Sequence, residues 1–118
     1  IVCFPYRAPD WAEGRAYAPN GYRLCKYVLG LPGDVVETDG TTWGVRTSGG
    51  SWLEIGQFAQ VDSSGRPLPQ DVLKPGPVPD GTAVLIGTHA RNSLDSRYLG
   101  PVDISTLTHF LTPVATRD

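Results

Sequence analysis

Apolar and polar positions alternate along this chain in short stretches, nearly every one closed by proline or glycine. Residues 1–4 are apolar and stop at Pro5. A turn-rich segment follows, in which only residues 10–17 suit a short helix, with Asp10 placed to cap it. The strongest strand signal is Tyr22-Arg23-Leu24-Cys25-Lys26-Tyr27-Val28-Leu29, dense in aromatic and branched side chains, and Gly30-Leu31-Pro32-Gly33-Asp34 ends it. Residues 35–38 resume a strand, Asp39-Gly40 is a hairpin-type turn, and residues 42–46 return; Gly49-Gly50 then leads into Trp52-Leu53-Glu54-Ile55. These are the proportions of a β-meander. From residue 63 to 81 repeated prolines remove the donors that a central strand needs, so the stretch reads as a long surface loop. The end reads as a turn, a capped helical turn and a last strand over residues 107–114.

Composition sharpens this picture. A chain of 118 residues is one domain by size, spanning residues 1–118. Gly 14 and Pro 11 exclude an all-helical bundle and leave a mainly β, antiparallel, Gly/Pro-rich fold with one or two short helices. Lys+Arg 10 against Asp+Glu 12 leaves a net charge of −2, which argues against a nucleic-acid partner held by general attraction to phosphate. No apolar run reaches the roughly 18 residues of a membrane helix. Met is absent and the first residues read as a strand already under way, so the sequence is expected to be a fragment with any signal or anchor upstream. Cys3 and Cys25 permit one disulfide or two buried thiols, and both readings stand. With no CxxC or HExxH, and with His89 and His109 far apart and lacking a carboxylate set, neither a metal nor a cofactor is expected. His89 reads as a loop hydrogen-bonding residue, His109 as structural, and Trp43 and Trp52 as sheet packing.

Two segments combine polar chemistry with an unusual setting. By alternation Lys26 shares a face with Leu24 and Val28, while Cys25, Tyr27 and Leu29 share the other, so the lysine lies among apolar neighbours on both sides. Such a lysine either snorkels from a sheet edge or sits partly buried, where desolvation favours the neutral amine and makes it a base. The second segment, Gly87-Thr88-His89-Ala90-Arg91-Asn92-Ser93-Leu94-Asp95-Ser96-Arg97-Tyr98-Leu99-Gly100-Pro101, follows a short strand. Its density of Asn, Ser, Asp and Arg fits a loop knitted by its own hydrogen bonds, with Asp95 and Arg97 available as an ion pair.

Taken together, these segments carry a family resemblance. Lys26-Tyr27-Val28-Leu29-Gly30-Leu31-Pro32-Gly33-Asp34-Val35-Val36 resembles the lysine-bearing box of type I signal peptidases, and Asn92-Ser93-Leu94-Asp95-Ser96-Arg97-Tyr98-Leu99-Gly100-Pro101-Val102 is similar to the C-terminal box of that family, in the same order. The short span between the boxes and Gly65-Arg66-Pro67-Leu68-Pro69 lean toward the conjugative-transfer peptidases of the TraF type. The resemblance implies a Ser/Lys dyad on a signal-peptidase-like β fold, in which an unprotonated lysine takes the proton of an attacking serine. It implies Lys26 as the base, Ser93 as the hydroxyl that orients its amine, Asp95 and Arg97 as the pair bracing the site, and Gly87 as the turn that lets the loop approach. Leu24 and Cys25 would line the edge along which substrate adds as a strand. The implied partner is an exported precursor polypeptide, such as a conjugative pilin, cut after small residues by a membrane-anchored, periplasm-facing enzyme.

Three departures from the family pattern bear on this reading. Tyr27 stands where the family commonly has Arg, Gly87-Thr88-His89 replaces the usual Gly-Asp-Asn, and the Ser-Met-Xaa-Pro nucleophile box has no counterpart. Ser48, Ser51, Ser63 and Ser64 lack its context, so the chain by itself is expected to be inactive. A peptide-binding or assembly module that has lost catalysis, and a self-cleaving Ser/Lys domain of the LexA type, are the rival readings.

Overall fold

The structure, a computed structural model, describes residues 1–87 and 94–109, the last of these by its backbone alone. Its elements in chain order are β1 (Val2–Pro5), a 3₁₀ turn (Asp10–Ala12), β2 (Arg23–Gly30), β3 (Val35–Thr38), β4 (Trp43–Arg46), β5 (Trp52–Gly56), β6 (Gly76–Pro77) and β7 (Thr82–Ile86). Helix α1 (Ser96–Leu99), β8 (Val102–Asp103), a second 3₁₀ turn (Ile104–Thr106) and β9 (Thr108–His109) follow. The strands form two antiparallel sheets, ordered β8-β7-β2-β1-β9 and β5-β4-β3-β6.

The meander of the second sheet follows from its turn chemistry. At Asp39-Gly40 the aspartate carboxylate accepts from the Thr41 and Thr42 amides at 2.9 and 2.8 Å, and Gly40 takes the positive φ that the turn requires. Within β4 Gly44 leaves room for the half-exposed Trp52 ring, which a Cβ there would overlap, and Arg46 lies 5.0 Å over the same ring. Trp43 stacks on Phe58 with ring centroids 4.8 Å apart. Both tryptophans thus pack on the sheet.

Strand β7 joins the two halves of the core. Ala83 and Leu85 point one way, to Val2, Phe4 and Leu24; Val84 and Ile86 point the other, to Val36, Val45, Ile55, Leu73 and Val78. A strand covered on both faces must be apolar throughout, which is why Ala83-Val84-Leu85-Ile86 is an unbroken run.

Three expectations need correction. Residues 10–17 make only the 3₁₀ turn Asp10–Ala12, with Pro9 rather than Asp10 at its N-cap and no capping side chain; Gly14 and Ala16 both take positive φ, which no helix continues through. The Pro-rich stretch 63–81 is no mere surface loop, since it delivers Leu68, Leu73 and Val78 to the interior and pairs β6 with β3. Val28 is exposed, so it does not wall in Lys26. The last strand is seen as β9, where His109 pairs in register with Val2; the remainder of residues 107–114 lies outside the described residues, as does His89. Cys3 and Cys25, direct partners in the β1–β2 register, are joined by a disulfide.

Candidate active site

Strand register places the lysine. Lys26 lies opposite Val2 on β1, and the next residue, Tyr27, pairs with Ile86 of β7, so Gly87 emerges beside the lysine. The Lys26 side chain shares its face of the sheet with Leu24, which packs on the Val2, Phe4, Ala83 and Leu85 cluster. Burial there pushes the Lys26 amine below its ordinary value; the Asp95 carboxylate pulls it up and the Arg97 guanidinium pushes it down.

Asp95 sits at the N-cap of α1, in extended conformation, and is wholly buried. Its Oδ1 accepts from the Arg97 amide at 3.0 Å, the capping bond that starts the helix, and from Arg97 Nε at 3.0 Å. Its Oδ2 accepts from Arg97 Nη2 at 2.7 Å and from the Gly87 amide at 3.0 Å. The first pair fixes the helix and the last ties it to the end of β7, beside Lys26. Burial alone would lower the Arg97 guanidinium, but the hydrogen bonds and charge of Asp95 outweigh it and raise it further.

The rest of α1 is held by bonds that no residue-type pattern announces. The Leu85 amide donates to Ser96 Oγ at 2.8 Å, replacing a ladder partner for the strand buried on both faces. Arg97 Nη1 donates to the Gln57 carbonyl at 2.9 Å, the Ala59 amide to the Tyr98 hydroxyl at 2.6 Å, and Trp11 Nε1 to the Tyr98 carbonyl at 3.1 Å. Ser96 and Tyr98 belong to the Asn92–Val102 box already singled out. Gln57 and Ala59 contribute only backbone atoms, so nothing in their side chains could have flagged them.

The structure therefore brings Lys26, Leu24, Gly87, Asp95 and Arg97 to one face and end of the first sheet. Cys25 precedes Lys26 with an exposed side chain bonded to the buried Cys3. Tyr27 is exposed and on the opposite face, so it offers Asp95 no second cation; the two amides and the Arg97 fork already fill the carboxylate. Ser93 lies outside the described residues.

A family model described as signal peptidase, peptidase S26, matches residues 1–110. The chain belongs to the signal peptidase family S26. A plasmid transfer protein TraF of Escherichia coli is 32% identical over 111 residues, covering 89% of this chain and 61% of TraF, so the chain spans about three-fifths of that relative's length. The crystal structure of a signal peptidase I from Enterococcus faecalis superposes with a TM-score of 0.51 at 23% identity, covering 94% of this chain and 93% of that one, and shows the same mainly antiparallel β fold. The matched residues span both boxes.

Proposed function

We propose that this family member is a serine endopeptidase of the signal peptidase type, which cleaves exported precursors after small residues by a Ser/Lys dyad. The observation that carries the reading is Lys26 itself: a lysine on an apolar sheet face, its amine pushed down by burial, one residue from the turn that holds the Asp95–Arg97 pair. Lys26 acts as the general base, and the Ser93 hydroxyl orients its amine. The family's nucleophile box has no counterpart in these 118 residues, and none of Ser48, Ser51, Ser63 and Ser64 takes that role. Attack on the scissile carbonyl passes the serine proton to Lys26 and from there to the leaving amine, giving an acyl-enzyme that water resolves.

Substrate adds as a strand along β2 at Leu24 and Cys25. Their β1 side is paired, while among the described residues β7 reaches no further than Tyr27 on the other side. Likeness to TraF supports a conjugative pilin as the precursor. The Cys3–Cys25 disulfide suits an oxidising compartment such as the periplasm, with a membrane anchor upstream; among the described residues no helix is long and apolar enough to cross a membrane.

The test is cleavage of a precursor peptide bearing small residues before the scissile bond, by a form that carries the upstream serine box. That form cuts, and the chain beginning at Ile1 does not. Lys26→Ala abolishes cleavage with the fold preserved, and Lys26→Arg fails too, because a guanidinium stays protonated. The parent rate rises with pH as the lysine deprotonates. Parental cleavage by Lys26→Ala would remove Lys26 as the base, and failure of the form carrying the serine box to cut would replace this reading with a binding module on the same fold.

A further inference from the structure

The charges around Lys26 come from few directions. On β1 it meets Val2, with Phe4 beyond, and β7 offers no ionisable group. On its own strand Arg23 is exposed and Tyr27 faces the other way; on β9 His109 stands opposite Val2. The field that reaches the amine from the described ionisable side chains is that of Asp95 and Arg97. A buried carboxylate beside a lysine would ordinarily hold the ammonium form, the opposite of what a base needs. Here both carboxylate oxygens are taken by one guanidinium fork, with two backbone amides completing the set, and the outer edge of that guanidinium is fixed by the Gln57 carbonyl. Guanidinium suits this place because it keeps its proton at any usable pH and matches a carboxylate with two bonds.

We propose that Arg97 is a positioning residue acting on Lys26 through Asp95: by pairing with both carboxylate oxygens it offsets part of the negative charge that the lysine amine meets, so that the amine loses its proton more readily than it would beside the carboxylate alone. The Gln57 carbonyl, from the segment following β5, sets the angle of the fork, so the second sheet helps to prepare a base on the first. The inference rests on the reading of Lys26 as the base, but its test does not use cleavage.

The chain has two lysines, Lys26 and the exposed Lys74, so isotope labelling of the lysine side chains gives two signals, with Lys74 as reference. Each variant is titrated by nuclear magnetic resonance. Arg97→Gln strips the cation and leaves the carboxylate; the Lys26 midpoint rises by about one pH unit or more. Asp95→Asn leaves the cation unopposed, and the midpoint falls below the parent's. The double variant Asp95→Asn/Arg97→Gln, an uncharged pair able to hydrogen-bond, returns close to the parent. A lower melting temperature with an unmoved Lys26 midpoint in the single variants is what bracing alone would give, and it overturns the proposal. Should Arg97→Gln fail to fold, Asp95→Asn decides by the direction of its shift: downward supports the proposal, and no shift or a rise overturns it. Loss of the peptidase reading would show instead as failed cleavage with these titrations intact.

Discussion

Two buried aspartates organise two regions of this molecule by the same local device and to different ends. Asp95 accepts from the amide two residues on, and so does Asp62, whose Oδ1 takes the Ser64 amide at 2.9 Å and the Arg66 amide at 2.9 Å. Each then recruits an arginine. The Arg97 side chain that meets Asp95 is 4% exposed, whereas Arg66, 2.9 Å from Asp62, is 41% exposed. Asp62 also receives the Tyr17 hydroxyl at 2.6 Å, with Arg15 reaching the Pro67 carbonyl at 2.6 Å, and so ties the Pro-rich excursion to the β1–β2 connection. The contrast teaches that an Asx turn becomes a candidate active-site element only where its cation is denied water. At Asp62 solvent can replace a lost partner; at Asp95 it cannot.

The sharpest way to break the comparison is Asp95→Ala. It strands the Arg97 guanidinium and two backbone amides in the interior and should cost about 3–5 kcal/mol in urea unfolding, far beyond the 0–1 kcal/mol of a surface pair. A parental midpoint would show the pair to be ornamental. Tyr98→Phe comes next: the Ala59 amide loses its acceptor, for a loss of about 1–2 kcal/mol by the same measurement. Asp62→Ala should give a smaller fall in midpoint than Asp95→Ala, because Arg66 re-enters solvent. If the two aspartates proved equal, exposure of the cation would not be what separates them.

The smallest effect is in acid. The Tyr17 hydroxyl above all, with the surrounding amides, holds the Asp62 carboxyl well below the usual carboxylate range. A depressed carboxyl stabilises the fold above its unfolded value, near 3.9, and that contribution fades as pH falls toward the folded value. The melting-temperature gap between the parent and Asp62→Asn should therefore be full at pH 6 and narrower at pH 3. A gap independent of pH would sever Asp62 from the acid response.

Much of the site was legible because its residue types are rare in their settings. Lys26 stands out as the one charged residue in the apolar run from Leu24 to Leu29, and the Asn92–Val102 segment stands out by its density of polar and charged residues. The hairpin at Asp39-Gly40 was equally plain, since only a few residues tolerate its backbone. What stayed hidden depends on distant partners. Leu68, Leu73 and Val78 look like loop residues because prolines surround them, and only the opposing sheet turns them inward. The choice between thiols and a disulfide rested on register, which pairs Cys3 with Cys25 through a turn of no readable geometry. The helix expected over residues 10–17 failed on two positive-φ residues, one of which is an alanine.

Strand β7 carries a consequence for how the molecule comes apart. One of its faces completes the cluster around Val45, the other the cluster around Phe4, and its last residue hands the chain to the Asp95 turn. Neither cluster can melt alone without stripping a neighbour from the other, so the two sheets should open as one cooperative unit. In hydrogen exchange the amides of Val84 and Leu85 should then be among the last to trade their protons, at a free energy equal to that of global unfolding.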